Sequence, residues 1–314
     1  MDQKPNLLFM GSPEFAAAIL RQLHQAGYPI CAVYAQPDKA AGRGQKLTSP
    51  PVALLAKELG LRLRQPRTLK DRAIQEELVS FAPDYIIVAA YGKILPDAVL
   101  KAPKKDILNV HGSLLPAYRG ASPVQQALLD GCGQTGVSIM RVQTALDAGP
   151  VFATRIENIC EADTAGSLME RLAQLGAELL LQTLDQLGTG TLLPQPQNEG
   201  LATYTKKITK EAALIHWSEP AKVILGQIRA YQPWPVAMTV LQEKKLKVFG
   251  AQLLPSCSGR VPGTLVMLAK NGWTVATGSE DILVTDVQLE GKKRLPAFEV
   301  ANGLRLVCGP VLGG

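Results

Sequence analysis

Two polar turns in the first half of the chain carry side chains that could move protons and stabilise negative charge. In the first turn, Asn109 and His111 are separated by one residue. In an extended strand this spacing directs both side chains to the same face. An asparagine amide can donate to an oxyanion, and a histidine exchanges a proton near neutral pH. The second turn contains Asp147, which could fix the tautomer of a neighbouring histidine or stabilise its charged form.

Each of these residues also has a purely structural interpretation. A lone histidine is more often a structural residue than a catalyst. Asp147 precedes Ala-Gly-Pro and could close an Asx-turn, and Asn109 could satisfy backbone groups at a strand end. A catalytic interpretation therefore depends on the fold bringing the three side chains together at adjacent strand ends.

The first half of the chain alternates short apolar runs with helical stretches, which predicts a Rossmann-like α/β fold with a mostly parallel sheet. The predicted strands are 7–10, 30–34, 84–89, 107–110 and 136–142. Ser12 is expected to cap the first helix, with Pro13 in its first turn. A long amphipathic helix is predicted from about Asp163 to Leu187. Ligands of such sheets bind beyond the carboxyl ends of the strands, where segment 109–120 should lie.

The second half has a different pattern. Residues 189–208 are rich in Gly, Pro, Gln and Thr, which predicts a linker between a domain at 1–188 and another at 209–314. A short helix is expected from Ser218 to Ala230, followed by five short strands with a hairpin at Asn271-Gly272. Five short strands predict a small OB-like barrel, a fold that often binds oligonucleotides.

Charge is distributed unevenly between the two halves. The net charge of the 314 residues is +6. Residues 1–198 carry 19 basic against 18 acidic residues, and the remaining 116 carry 14 against 9. A basic excess in the second half favours a polyanionic partner, because lysine and arginine release counterions from phosphates, although it could also serve solubility alone.

Composition excludes several classes of protein. The five cysteines are dispersed and form no CxxC, and the three histidines are far apart, which argues against a disulfide framework and a metal site. No apolar run approaches the ~20 residues that cross a bilayer, and the first residues are not typical of a signal peptide. The first glycine turn lacks GxGxxG. We expect a cytoplasmic, metal-free protein without membrane contact, and nothing requires more than a monomer.

Several segments together resemble one family. Asn109 to Pro116, Tyr118 to Gly120 and Asp147 to Pro150 are similar to the core motif of enzymes that use 10-formyltetrahydrofolate. Segments 36–46, 204–211 and 228–235, with the basic β-rich half, resemble the inserted basic loop, the linker and the C-terminal module of the methionyl-tRNA formyltransferase family. The likeness extends over nearly the whole chain.

The resemblance implies a catalytic trio of Asn109, His111 and Asp147. A formyl group would pass from 10-formyltetrahydrofolate to the α-amine of methionine on initiator tRNA. Asn109 and His111 would stabilise the oxyanion, an effect worth about 3 kcal/mol per donor. Asp147 would orient His111 and accept a proton, directly or through a water.

The resemblance also implies binding residues. Folate would lie against Ser113, Leu114, Leu115 and Pro116, with further walls from Tyr91 and Gly92. For the tRNA, Arg43 stands in the inserted basic loop 36–48, between two glycines that let it adapt. Phosphate contacts, which position RNA without reading its sequence, are expected from Lys206, Lys207 and Lys210.

Three other functions would share part of this pattern. A formyltransferase for a small amine, such as glycinamide ribotide or an amino-sugar nucleotide, explains the trio but not the basic half. A hydrolase could release formate from the same donor, with water in place of the amine. An RNA-binding protein with a decayed folate core is opposed by the intact trio.

Overall fold

The computed structural model of the chain describes residues 4–41 and 46–313, which form two compact units. The first unit contains the described residues up to Pro123, with 134–158 and 169–205. The second contains 124–133, 159–168 and the chain from Lys206 onwards. Two segments that the sequence assigns to the first domain therefore pack with the second unit.

The first unit is built on strands. They are β1 (Leu7–Gly11), β2 (Ile30–Tyr34), β3 (Lys39–Ala41), β4 (Lys46–Thr48), β5 (Leu63–Arg64), β6 (Tyr85–Ala89), β7 (Asp106–His111), β8 (Arg119–Gly120), β9 (Gln134–Arg141), β10 (Val151–Asn158) and β11 (Tyr204–Thr205). Seven of them form one sheet in the order β10-β9-β7-β6-β1-β2-β5, while β3 pairs with β4 and β8 with β11.

Five neighbouring strands of the large sheet are parallel, from β5 through β2, β1 and β6 to β7. Strand β9 runs antiparallel to β7, and β10 in turn runs antiparallel to β9. Strand β1, Leu7–Gly11, is a continuous apolar run that is buried throughout, as expected of a central parallel strand covered on both faces. The predicted Rossmann-like fold with a mostly parallel sheet is confirmed.

Six helices begin before residue 166. They are α1 (Glu14–Gln25), α2 (Pro51–Glu58), α3 (Arg72–Ser80), α4 (Asp97–Leu100), α5 (Pro123–Leu129) and α6 (Ala165–Gly188). Helix α1 buries Ile19, Leu20 and Leu23. The expectation that Ser12 caps this helix is wrong: the N-cap is Pro13, and the Ser12 hydroxyl instead accepts a hydrogen bond from the backbone N–H of Gln36. None of the helices within the described ranges is long and apolar enough to cross a membrane.

The second unit contains an antiparallel sheet and two further helices. The strands are β12 (Met238–Leu241), β13 (Lys244–Leu253), β14 (Leu265–Ala269), β15 (Gly272–Val275), β16 (Ile282–Leu289) and β17 (Arg294–Pro296), and the helices are α7 (Ala221–Ala230) and α8 (Ala297–Leu304). The order is β12-β13-β16-β15-β14, with β17 paired to β16. The five predicted strands and helix α7 are confirmed, whereas strand β17 and helix α8 were not predicted.

Residues 309–313 join the two edges of this sheet. The N–H of Gly309 donates to the carbonyl of Leu265 in β14, and the N–H of Leu265 donates to the carbonyl of Pro310. The N–H of Leu312 donates to the carbonyl of Gly263. On the opposite edge, the N–H of Gly313 donates to the carbonyl of Val240 in β12. The antiparallel sheet is thereby closed around a core that contains the fully buried Trp273, which agrees with the predicted barrel.

The segment that the sequence assigns to a linker is attached along the first unit. Gln195 forms a two-way backbone bridge with Val151, and β11 pairs in parallel with β8. A 3₁₀ turn, Glu199–Leu201, lies between these contacts. Residues 195–205 are thus held by hydrogen bonds, because their polar backbone finds partners in β8 and at the start of β10, which the local sequence does not reveal.

Candidate active site

His111 is the last residue of β7, and its ring is held by a backbone carbonyl. The side chain is only 7% exposed, and its Nε2 lies 3.0 Å from the carbonyl oxygen of Tyr118. A carbonyl oxygen can only accept, so Nε2 must carry a hydrogen in the neutral and the charged imidazole alike. The nitrogen that remains for proton exchange is therefore Nδ1.

Asp147 faces that nitrogen. Its Oδ2 is 3.9 Å from Nδ1 of His111, within ion-pair range but longer than a hydrogen bond. The same oxygen accepts a hydrogen bond of 2.8 Å from the backbone N–H of Gly120. Asp147 has a φ of +48°, in the left-handed region that few non-glycine residues adopt. The carboxylate is thus held beside the imidazole by a constrained turn.

The proximity of Asp147 and His111 agrees with the sequence prediction, but the structural reason predicted for it is wrong. The expectation was that two strands end side by side at the carboxyl edge of the sheet. Strand β9 instead runs antiparallel to β7, so that Arg141 at its end pairs with Leu108. Asp147 lies in the loop between β9 and β10, and the position of this loop brings it to His111.

Asn109 completes the predicted trio. It lies in β7 two residues before His111, so the two side chains leave the same face of the strand. Asn109 is half-buried and its amide makes no hydrogen bond to any residue in the described part of the chain. A partly accessible amide beside an imidazole and a carboxylate is available to donate to a ligand oxygen.

Residues 118–120 touch both ionisable members of the trio through their backbone. The carbonyl of Tyr118 holds His111, and the N–H of Gly120 holds Asp147. Gly120 has a φ of +112°, and a Cβ at this position would lie 2.5 Å from the carbonyl oxygen of Thr205. Only glycine allows this close approach between β8 and β11.

Arg119, between these two contacts, has a fully buried side chain with every donor satisfied. Its Nε and one terminal nitrogen donate to Oε1 of Gln197, at 3.1 and 2.9 Å. The terminal nitrogens also bind both carboxylate oxygens of Glu199, and one of them donates to the hydroxyl of Tyr204. Five N–H groups thus make five hydrogen bonds. The sequence analysis did not predict this hydrogen-bond network, although Arg119 lies within the motif segment Tyr118 to Gly120.

The four residues predicted to line a folate pocket differ in accessibility. Ser113 is fully buried, and its hydroxyl donates to the carbonyl of Ala117. Its role is therefore to shape the turn, since its side chain faces no open space. Leu114, Leu115 and Pro116 are half-buried and do present surface.

Tyr91 and Gly92, predicted as further walls, follow β6. The side chain of Tyr91 is buried in a hydrophobic cluster, and this burial raises the pKa of its hydroxyl to about 12. Its carbonyl accepts a hydrogen bond from Nε2 of Gln36. Gly92 is exposed with a φ of +73°. Of this pair, only Gly92 offers accessible backbone.

The predicted tRNA contacts lie in two regions. Arg43 lies outside the described residues. Lys206, Lys207 and Lys210 are exposed, and within the described ranges none of their ammonium groups forms an ion pair or a hydrogen bond. These three cations are free to bind phosphate. Across the same ranges, no group of three or more His, Cys, Asp or Glu is arranged to hold a metal ion.

Comparisons with known proteins identify the family of the chain. Residues 5–184 match the formyl transferase family, and residues 207–305 match the formyl transferase C-terminal domain. The methionyl-tRNA formyltransferase of Nitrosococcus oceani is 45% identical, over 99% of this chain and 97% of its own. That of Halalkalibacterium halodurans is 43% identical, over 98% of both chains.

Solved structures share the fold at lower identity. An N-formyltransferase from Helicobacter canadensis, in complex with folinic acid and dTDP-3-aminofucose, has a TM-score of 0.67 at 18% identity and covers 88% of this chain and 98% of its own. HypX from Aquifex aeolicus, in complex with tetrahydrofolic acid, has a TM-score of 0.66 at 18% identity. The match covers 96% of this chain and about half, 47%, of HypX.

The full-length identity to curated relatives, the two family matches and the folds of the solved structures lead to one assignment. The chain belongs to the methionyl-tRNA formyltransferase family of formyl transferases.

Proposed function

We propose that this protein transfers a formyl group from 10-formyltetrahydrofolate to the α-amine of methionine esterified to initiator tRNA. The observation that carries the proposal is the approach of Asp147 to Nδ1 of His111 beside the unengaged amide of Asn109. The donor supplies an activated formyl carbon attached to N10. A new bond forms between that carbon and the methionine nitrogen, and the bond to N10 breaks.

Asn109 stabilises the charge that develops on the formyl oxygen. The attack of an amine on a carbonyl carbon moves an electron pair onto the oxygen. A neutral amide donor held by a strand needs little reorganisation to meet this charge, and one such donor is typically worth about 3 kcal/mol in the transition state. The exposed part of Asn109 suits this role because no hydrogen bond within the described chain competes for its amide.

His111 and Asp147 handle the protons. The methionine nitrogen must lose one proton when it attacks, and N10 must gain one when it leaves. Since Nε2 of His111 is bound to the Tyr118 carbonyl, Nδ1 is the ring atom that takes or returns a proton. The carboxylate of Asp147 stabilises the charged imidazole and offers a second acceptor.

The remaining residues bind the two substrates. Leu114, Leu115 and Pro116 supply apolar contacts for the folate ring, and Gly92 contacts it through its backbone. Ser113 and Tyr91 are buried and support the walls of the folate pocket from behind. Lys206, Lys207 and Lys210 contact tRNA phosphates, together with Arg43. We assign catalysis to residues 1–188 and tRNA binding to 209–314, joined through 189–208. We further propose that the enzyme acts as a monomer in the cytoplasm, without a metal.

The test is formyl transfer from 10-formyltetrahydrofolate to methionyl initiator tRNA. Free methionine, methionyl elongator tRNA and an amino-sugar nucleotide serve as parallel acceptors, and the Asp147→Asn variant is the negative control. Formylation confined to the initiator tRNA supports the proposal. Transfer to the small amines, or release of formate alone, contradicts the assigned acceptor while keeping the catalytic trio.

A further inference from the structure

Gln197 connects the buried Arg119 to the turn that carries Asp147. The Arg119 guanidinium binds Oε1 of Gln197, which fixes the amide so that its nitrogen points the other way. That nitrogen donates to the carbonyl of Asp147 at 2.8 Å and to the carbonyl of Gly149 at 2.7 Å. Both hydrogens of the amide thus hold the two carbonyls of one turn.

This turn needs such hydrogen bonds because two of its residues are conformationally constrained. Asp147 is in the left-handed region, which is unfavourable for a residue with a Cβ. Gly149 packs so closely that a Cβ would lie 1.9 Å from the carbonyl oxygen of Arg141. A strained residue keeps its conformation only where its surroundings determine it, and Gln197 supplies two of the hydrogen bonds that do so.

Arg119 also holds the backbone segment that contacts His111 and the Asp147 carboxylate. Its backbone neighbours are Tyr118, whose carbonyl holds His111, and Gly120, whose N–H holds the Asp147 carboxylate. The side chain is anchored to Glu199 and Tyr204, about 80 residues away in sequence. Arg119 and Gln197 therefore connect the backbone on both sides of the 3.9 Å gap between Asp147 and His111.

We propose that Arg119 and Gln197 are positioning residues that set the Asp147 carboxylate against His111, and that residues 197–204 serve the reaction rather than only linking domains. The inference rests on the proposed function. A displacement of about 1 Å at a reacting group can cost about 10²-fold in rate, so the loss of this support should appear in kcat.

The test uses Gln197→Glu in the full-length protein. A glutamate keeps an acceptor for Arg119, but turns a carboxylate oxygen towards the carbonyls of Asp147 and Gly149, where the amide donated. The matched control is Gln195→Glu, which adds the same charge two residues away. Gln195 is exposed, and among the described residues only its backbone makes hydrogen bonds.

We expect Gln197→Glu to lower kcat about 10²-fold with little change in the KM for methionyl-tRNA or in the melting temperature, and Gln195→Glu to match wild type. Unchanged kcat in Gln197→Glu would overturn the proposal. So would a rise in the KM for tRNA at constant kcat, which would identify a segment that only binds RNA.

A second measurement needs no substrate and separates this proposal from the assigned activity. NMR of the ring protons of the three histidines provides this measurement, and comparison with Asp147→Asn identifies the His111 signal that responds to the carboxylate. Gln197→Glu should move that signal and Gln195→Glu should not. A His111 signal unmoved by Gln197→Glu would contradict positioning, whether or not the wild-type protein formylates tRNA.

Discussion

The turn around Asp147 and the lysine segment 206–210 use charge in opposite ways. At the turn, carboxylate, imidazole and guanidinium are largely buried and bound to defined partners. Lys206, Lys207 and Lys210 are exposed, and within the described structure none of their ammonium groups forms an ion pair or a hydrogen bond. Catalysis needs groups that already have their geometry before substrate arrives, whereas phosphate binding needs cations that are free to release counterions.

The comparison predicts that the largest loss follows from Asp147→Asn. The amide has the shape of the carboxylate but cannot accept a proton or balance a charged imidazole. We expect kcat to fall by about 10³-fold, within the range of general acid–base contributions, while affinity for tRNA is unchanged. Single-turnover formylation and a filter-binding assay measure the two quantities. Turnover near wild type would remove Asp147 from the mechanism.

The next loss is expected from Asn109. Asn109→Asp keeps the shape of the side chain but replaces the amide donor with an acceptor, and Asn109→Ala removes it. Either change should lower kcat by about 10²-fold, because one donor to the developing oxyanion is lost. The KM for methionyl-tRNA should stay constant. Full activity in Asn109→Asp would show that no hydrogen bond is donated from this position.

Part of the geometry of the trio could be predicted from the residues themselves, whereas its catalytic roles are implied by the family resemblance. Asn109 and His111 alternate within one strand, and that period does not depend on the rest of the fold. The neighbourhood of Asp147 was correctly predicted for the wrong reason, since an apolar run such as β9 does not reveal its direction in a sheet.

The support around the trio could not be predicted in the same way. The hydrogen bonds of Arg119 join it to Gln197, Glu199 and Tyr204, which lie in a segment whose Pro and Gly content is typical of a linker. Helix α8, Ala297–Leu304, contains Val, Asn and Gly, which are weak helix formers. Burial of Ala297, Val300 and Ala301 stabilises it instead. Both features depend on tertiary contacts.

Substitutions in the lysine segment 206–210 should weaken the binding of tRNA without slowing the chemical step. Replacing Lys206, Lys207 and Lys210 together by glutamine should raise the KM for methionyl-tRNA and leave kcat unchanged. The slope of log KM against log salt should decrease by about 2 to 3, close to one per lost phosphate contact. Replacing the exposed Lys57, Lys70 and Lys101 together by glutamine provides a charge-matched control, for which no change is expected. An equal salt slope in the triple variant would contradict phosphate binding by this segment.

The smallest expected effect is on stability and concerns Glu199, the exposed partner of the buried Arg119. The hydrogen bond from Arg119 lowers the pKa of Glu199 below its ordinary value, although the Glu199 side chain is 67% exposed. A depressed carboxyl pKa stabilises the fold above the pKa of the unfolded chain, and this stabilisation is lost as pH falls through the folded-state pKa. Glu199→Gln should therefore melt slightly below wild type at neutral pH, and the two proteins should converge in acid. Since both proteins share every other titrating group, their difference isolates this pair. A difference in melting temperature that persists at about pH 3 would instead indicate lost packing or hydrogen bonding at residue 199. The pH dependence therefore distinguishes stabilisation by the charge of Glu199 from stabilisation by its contacts.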